Sequence, residues 1–413
     1  MPYDEMSDKD EQKYDTLMTE LEQLQAEGNY IDVYLLPTTY ESGVKDLYFS
    51  DMEQAMRNGR FADIGDYYDM DDSIGKESLN TAVMDAGVVN GFRYALPLRY
   101  DFPVAYVATD KMAILGLSPQ MFQSGITGMW NDVSQTGSRE IAGYTYSNLK
   151  CTALNFFPEL MDYDQQEVLL SAADLADFFD SYARHANARD YEMPLLLNEL
   201  ALCGQSFMDG SHWLKSTQCM VVGNLEDALG QAAFAKALNT KLDMYPLTSS
   251  DGRLTAEVTF YGAVDAQCPH PALAYQFLRE FLREDLQWLF NNTYWGFDTA
   301  PTGFPVRTVD SAARMYQENY SALAGKSERF SGLHLGFHTD AEFLLLLSEI
   351  LVTDTDIPIL QAQIDVARFP LPDLEKQLWQ TVQTAGEPSA DTYAIAQEFV
   401  EHLEGYLLDN YSS

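Results

Sequence analysis

The hydrophobic positions of this chain follow two rhythms. Over residues 8–27, Tyr14, Leu17, Leu21 and Leu24 form one apolar stripe at helical spacing, and Gly28 offers a stop. IDVYLLP, residues 31–37, reads as a strand ended by Pro37, and a helix is expected over 43–58, stopping near Gly59. In residues 91–112, Phe92, Tyr94, Leu96 and Leu98 alternate with other residues as in a half-buried strand, and Val104 to Val107 form a second apolar run. Three further helices are expected. SAADLADFFDSYARHA offers Ser171 as N-cap with Asp174 three residues on, and carries Leu175, Phe178, Phe179 and Tyr182 on one face. HPALAYQFLREFLREDLQWLF places Pro271 at the first helical position and makes a wide face of Ala274, Phe277, Leu278, Phe281 and Leu282. Leu374, Leu378 and Val382 form a stripe before Gly386, and DTYAIAQEFVEHLEGYLLD closes the chain as a last helix. QCMVVGN (218–224), LDMYPL (242–247) and AEVTFYGAVDA (256–266) are strand candidates. Strands and helices alternating over the whole length predict an α/β fold with mostly parallel sheets flanked by helices.

At 413 residues the chain exceeds one ordinary hydrophobic core, so two domains are expected. No Pro/Ser/Gly-rich linker separates them, so the chain must cross through ordered segments. The stretch 91–107 reads as such a crossing: one run finishes the first sheet, the next begins the second, and Arg99-Tyr100-Asp101 lie between, with Pro97 and Pro103 on either side. Ligands of open α/β sheets bind beyond the carboxyl ends of strands and in clefts between domains, which would turn these three side chains toward a ligand; a surface turn with a local ion pair is the competing reading. Other strand ends are polar or aromatic too: Thr38-Thr39-Tyr40-Glu41, Gly223-Asn224 followed by Glu226 and Asp227, Phe260-Tyr261, and the loop NNTYWGFDTAPTGFP with Tyr294, Trp295, Phe297 and Asp298. Rings beside carboxylates and amides suit sugars, whose C–H faces stack and whose hydroxyls need paired donors and acceptors.

Charge narrows the partners. With 25 Lys+Arg against 63 Asp+Glu the formal net charge is −38, which disfavours nucleic acid and anionic membranes. The four cysteines, Cys151, Cys203, Cys219 and Cys268, show no metal-type spacing; free buried thiols are expected, and the sequence chooses no disulfide pairing. The longest apolar run, FLLLLSEILV, is too short to span a bilayer, and MPYDEMSDKDEQKYD has no apolar leader core. The expectation is a soluble chain, either cytosolic or with its leader already removed. GxSxG, GxGxxG, Walker A and HExxH motifs are missing, and no carboxylate pair is singled out for glycoside hydrolysis. His334 and His338 in HLGFH lack an evident third ligand, and DMDDSIGKES matches a calcium loop only superficially, so neither metal nor cofactor is expected.

AEGNYIDVYLLPTTY, GRFADIGDYYD, NGFRYALPLRYDFPVAYVATDKMAILGLS with its Thr109-Asp110-Lys111 turn, HPALAYQFLREFLREDLQ and the closing helices occur in the order of a known family. The chain resembles the family 1 extracellular solute-binding proteins of ABC importers, the maltose-binding-protein-like kind, over nearly its whole length. That resemblance implies a two-lobed, type II periplasmic-binding-protein fold with a cleft at a multi-crossover hinge. One lobe would comprise 1–102 plus 261–304 and the other 105–258 plus 309–413, with the hinge near 99–104, 258–261 and 304–309. It implies a non-enzymatic, monomeric protein that captures a mono- or oligosaccharide and hands it to permease subunits. The protein would work at the extracellular face, lipid-anchored, or in the periplasm, and closing about its hinge would accompany capture. A glycoside hydrolase or a binder of peptides or other neutral solutes is the alternative. By position, the resemblance implies ligand contacts from Tyr40, Glu41, Arg99, Tyr100, Asp101, Asn224, Glu226, Tyr261 and Trp295. The family's usual leading strand is not evident before the first helix.

Overall fold

The structure, a computed structural model, describes residues 31–38, 49–114, 118–136, 153–188, 220–225, 228–237, 239–289, 303–307, 357–385 and 390–411, with Thr16 and Thr19 singly. In chain order the described strands are β1 (Val33–Pro37), β2 (Val88–Val89), β3 (Phe92–Arg93), β4 (Ala95–Asp101), β5 (Pro103–Ala108), β6 (Met161–Asp162), β7 (Glu167–Val168), β8 (Met220–Asn224), β9 (Leu242–Pro246), β10 (Thr255–Val264), β11 (Phe304–Pro305) and β12 (Val366–Arg368). The helices used below are α1 (Gly65–Met70), α2 (Gly125–Thr136), α3 (Ala172–Ala188), α4 (Pro271–Glu280), α5 (Pro372–Ala385) and α6 (Thr392–Tyr411).

The chain divides into two compact units. One draws on Met1–Asp101, Ala256–Thr308 and Ala367–Pro372, the other on Phe102–Thr255, Val309–Val366 and Asp373–Ser413. In the first unit the sheet runs β1-β10-β4-β11, with β12 also on β10. β10 lies antiparallel to both β1 and β4, and β11 is antiparallel to β4. In the second unit β5 lies between β8 and β9, antiparallel to each. Helix–strand alternation predicts mostly parallel pairing, and these described pairs do not follow it. The reason lies in the crossings. β4 carries the chain out of the first unit at Asp101, and β10 brings it back in near Ala256, with Glu257 opposite Asp101. A strand that leaves and a strand that returns side by side must point in opposite directions. β1 and β4 consequently run the same way with β10 inserted between them.

Burial also departs from the alternation read in 92–98. Phe92 is exposed and belongs to the separate hairpin β2–β3, turned by Asn90 and Gly91 at positive φ, as an Asn-Gly turn requires. Every residue of β4, β5 and β10 is buried. Both faces of these strands are covered, so an apolar run there carries no period.

The helices follow their local signals closely. Ser171 Oγ accepts from the Asp174 amide at 3.1 Å and donates to the Asp174 carboxylate at 2.6 Å, the reciprocal cap that starts α3. Pro271 opens α4, and Leu374, Leu378 and Val382 are buried on α5. Of the helix expected over 43–58, the described part begins at Met52, capped by Asp51, whose side chain accepts from the Gln54 amide at 2.9 Å. The long helix expected from 271 breaks after Glu280 and resumes at Glu284. The Phe281 and Leu282 amides turn back to Leu278 and Arg279, and Gln287 Nε2 takes the Phe281 carbonyl at 2.6 Å, which ends the first segment. Phe277, expected on the buried face, is 53% exposed; Ala274, Tyr275 and Leu278 carry that face instead. The second unit packs α3 between α2 and α6, with Trp130 wholly buried and its ring 5.1 Å from Phe178 and 5.5 Å from Tyr182.

The calcium-like segment 69–78 is occupied by the protein's own cations. Lys76 Nζ donates to the Tyr68 and Asp69 carbonyls at 3.1 and 2.7 Å, at the end of α1. Asp71 accepts from Ser73, Tyr275 and Arg279. Burial pushes the Asp71 carboxyl up, but the bonds from Ser73, Arg279 and Tyr275 outweigh it and hold its pKa at about 2. A carboxyl lowered on folding stabilises the protein above its ordinary pKa, and that contribution is lost as pH falls from near 4 through about 2. Asp71→Asn is therefore expected to lower stability by about 2 kcal/mol at neutral pH. Urea midpoints of the two proteins should converge as pH falls below 4, to be measured against pH 7.

Candidate functional site

The candidate site of the first unit is the end of its sheet at which β1 and β4 finish and β10 begins. Thr38 follows β1 directly. Its amide donates to the Thr259 carbonyl at 3.0 Å and its hydroxyl donates to the Val258 carbonyl, so the end of β1 is tied to β10. Between β10 and β4 the register runs Glu257–Asp101, Val258–Tyr100, Phe260–Arg99, Tyr261–Pro97, with Thr259 as an extra residue on one strand and Leu98 on the other. The two irregularities cancel, and Pro97, which has no amide to donate, sits at the second. Pro103 opens β5, the other place a sheet tolerates proline.

This end is polar inside. Thr38, Arg99, Asp101, Glu257 and Thr259 are all buried, Arg99 at 2% exposed, Asp101 at 0% and Glu257 at 1%. A buried guanidinium needs acceptors, and Arg99 has the Gln287 carbonyl and, at 3.3 Å, the Gly303 carbonyl. Gln287 in turn accepts from the Val306 amide at 2.9 Å. Gly303 has φ +95°, and a Cβ there would stand 2.2 Å from Thr259 Oγ1 and 2.9 Å from the Tyr100 carbonyl, so no other residue allows this approach. Asp101 and Glu257 are cross-strand partners, which sets their Cβ atoms roughly 5 Å apart. Ionised carboxylates are acceptors only.

The sequence-predicted residues divide as follows. Arg99, Tyr100, Asp101 and Tyr261 come together on β4 and β10 of the first unit. The Tyr100 ring lies 6.2 Å from Phe304, edge-on; burial and the neighbouring Asp101 raise its phenol pKa, against a hydrogen bond with Asn80. Tyr261 is buried with its ring 5.3 Å from Phe369. Asn224 belongs to the second unit, opposite Pro103 on β5, and its carbonyl accepts from the Tyr106 hydroxyl. Tyr40, Glu41, Glu226 and Trp295 lie outside the described residues, as do His334, His338, Cys151, Cys203 and Cys219. Cys268 is a free, buried thiol. Among the described residues no group of three or more His, Cys, Asp or Glu is placed to hold a metal, and no helix is long and apolar enough to cross a membrane.

The sequence pattern does not single out Glu257, Thr259 or Gln287. Glu257 and Thr259 did leave a signal: two polar residues in the otherwise apolar run AEVTFYGAV. On a half-buried strand they would face solvent; only the covering of both faces of β10 puts them inside.

No protein-family model matches the chain, and no curated protein matches it by sequence. Solved structures do. The galacto-N-biose-/lacto-N-biose I-binding protein of the ABC transporter from Bifidobacterium longum aligns over 96% of this chain and 86% of its own, at 12% identity and a TM-score of 0.55. The sugar-binding protein MalE from Xanthomonas citri aligns over 96% of this chain and 88% of its own, at 12% identity and a TM-score of 0.54. A family 1 extracellular solute-binding protein from Alicyclobacillus acidocaldarius aligns over 94% of this chain and 87% of its own, at 13% identity and a TM-score of 0.50. Over nearly its whole length, this chain has the two-domain α/β fold of the extracellular solute-binding proteins.

Proposed function

We propose that this protein is the solute-capturing component of an ABC importer and that its ligand is a carbohydrate. The observation that carries the reading is the fold, shared over 96% of the chain with two proteins that bind sugars, one of them part of an ABC transporter. Asp101 and Glu257, carboxylates at the end of β4 and the start of β10, are candidate acceptors for sugar hydroxyls. Tyr40, Glu41, Tyr100, Asn224, Glu226, Tyr261 and Trp295 are the further candidates for polar and stacking contacts. Arg99 takes part by holding the strand end. The protein works outside the cytoplasm, in a periplasm or lipid-anchored at the cell surface, as a monomer that meets permease subunits and not nucleic acid. It binds its ligand without converting it and closes about the crossings near 99–104, 258–261 and 304–309.

The test is a thermal-shift screen of mono- and oligosaccharides. Mass action predicts that a true ligand at a hundred times its Kd stabilises by about 2.7 kcal/mol. Asp101→Asn, Glu257→Gln and Trp295→Ala are each expected to weaken binding about tenfold or more while the apo protein stays folded. Chromatography after incubation should return the sugar unchanged. A response to peptides or amino acids alone, or cleavage of the sugar, would replace this reading.

A further inference from the structure

The second unit carries a recess that the sugar-binding reading does not use. It lies beside the first turns of α3, against the start of α2 and the 153–157 turn, and has a volume of about 60 Å3. Phe156, Phe157 and Phe178 form its floor; Phe178 lies 5.2 Å from Phe157, edge-on, and 6.1 Å from Phe156. All three residues are buried, and Trp130 packs against Phe178. Asp174 and Asp177, three residues apart on α3, stand at the rim and are exposed. Asp174 accepts from Ser171, and among the described residues no Lys, Arg or His pairs with either carboxylate.

We propose that this recess binds a small organic ammonium ion, its alkyl groups on the phenylalanine floor and its charge toward Asp174 and Asp177. Three features select that class. Ring faces attract a cation, and a weakly hydrated ammonium gives up its water at little cost. Two exposed carboxylates in the lining supply a countercharge. Size excludes the sugar: at roughly 10–15 Å3 for each water-sized group the recess holds about four to six heavy atoms, the size of a trimethylammonium head and well below a pyranose.

The test uses the full chain at low ionic strength, titrated with choline and with its uncharged carbon isostere 3,3-dimethylbutan-1-ol, followed by calorimetry. Choline is expected to saturate and to bind at least about tenfold more tightly than the isostere. The double variant Asp174→Asn/Asp177→Asn, which keeps the acceptor for Ser171, is expected to lose at least about tenfold in choline affinity. Glu398→Gln/Glu404→Gln on α6 removes the same charge from a surface outside the recess and should leave affinity unchanged. Circular dichroism checks that each variant is folded. Non-saturating binding, equal binding of the isostere, or equal losses in both double variants would show attraction to the acidic surface alone and overturn the proposal.

Discussion

Arg99→Ala is expected to lower the unfolding free energy by about 3–5 kcal/mol, one of the two largest effects of any single substitution considered for this protein. The guanidinium is buried and donates to the carbonyls of Gln287 and Gly303, which join the resumed helix at 284–289 and the start of β11 to β4. Truncation leaves a cavity and strips both carbonyls of a charged donor in a place that water does not reach. Arg99→Lys should recover little, since one ammonium on a flexible stem does not reproduce two divergent donors. Urea denaturation measures the loss. A variant with wild-type stability that has lost sugar binding would instead make Arg99 a ligand contact, the role the crossover reading first gave it.

Trp130→Ala is expected to cost about 3–5 kcal/mol in the second unit. The indole is wholly buried in the core between α2 and α3, with Phe178 and Tyr182 against it. Alanine leaves a void that rings on a capped, rigid helix do not close. For a unit of about 250 residues, each kcal/mol moves the melting temperature by about 2–4 °C, so a fall of about 6 °C or more is expected. Hydrogen exchange should accelerate at α2 and α3 and be unchanged at β4 and β10. A uniform acceleration over both units would mean that they unfold as one.

The candidate site was legible in its position and much less so in its chemistry. Arg99-Tyr100-Asp101 stand between two apolar runs in the sequence, and the structure sets them where the chain passes from one unit to the other. Which way each side chain points was not written locally. Arg99 and Tyr261 look like ligand contacts in the sequence, yet they are held by Gln287, Gly303 and Phe369, residues far along the chain. Glu257, by contrast, looks like the polar position of an ordinary strand until both faces of β10 are covered.

By itself the sequence determined the helices and strands whose causes are local: the Ser171–Asp174 cap, Pro271 at the head of α4, the Leu374-Leu378-Val382 stripe, and the strands around residues 33, 104, 221, 243 and 258. These depend on neighbours within a turn or two, so spacing and capping groups suffice to read them. Only the tertiary structure decided that β10 returns antiparallel between β1 and β4, that the helix from Pro271 breaks at Phe281, and that Asp101 meets Glu257 inside the protein. Sheet hydrogen bonds join segments remote in the chain, and whether a polar side chain meets water depends on what those segments bring to cover it.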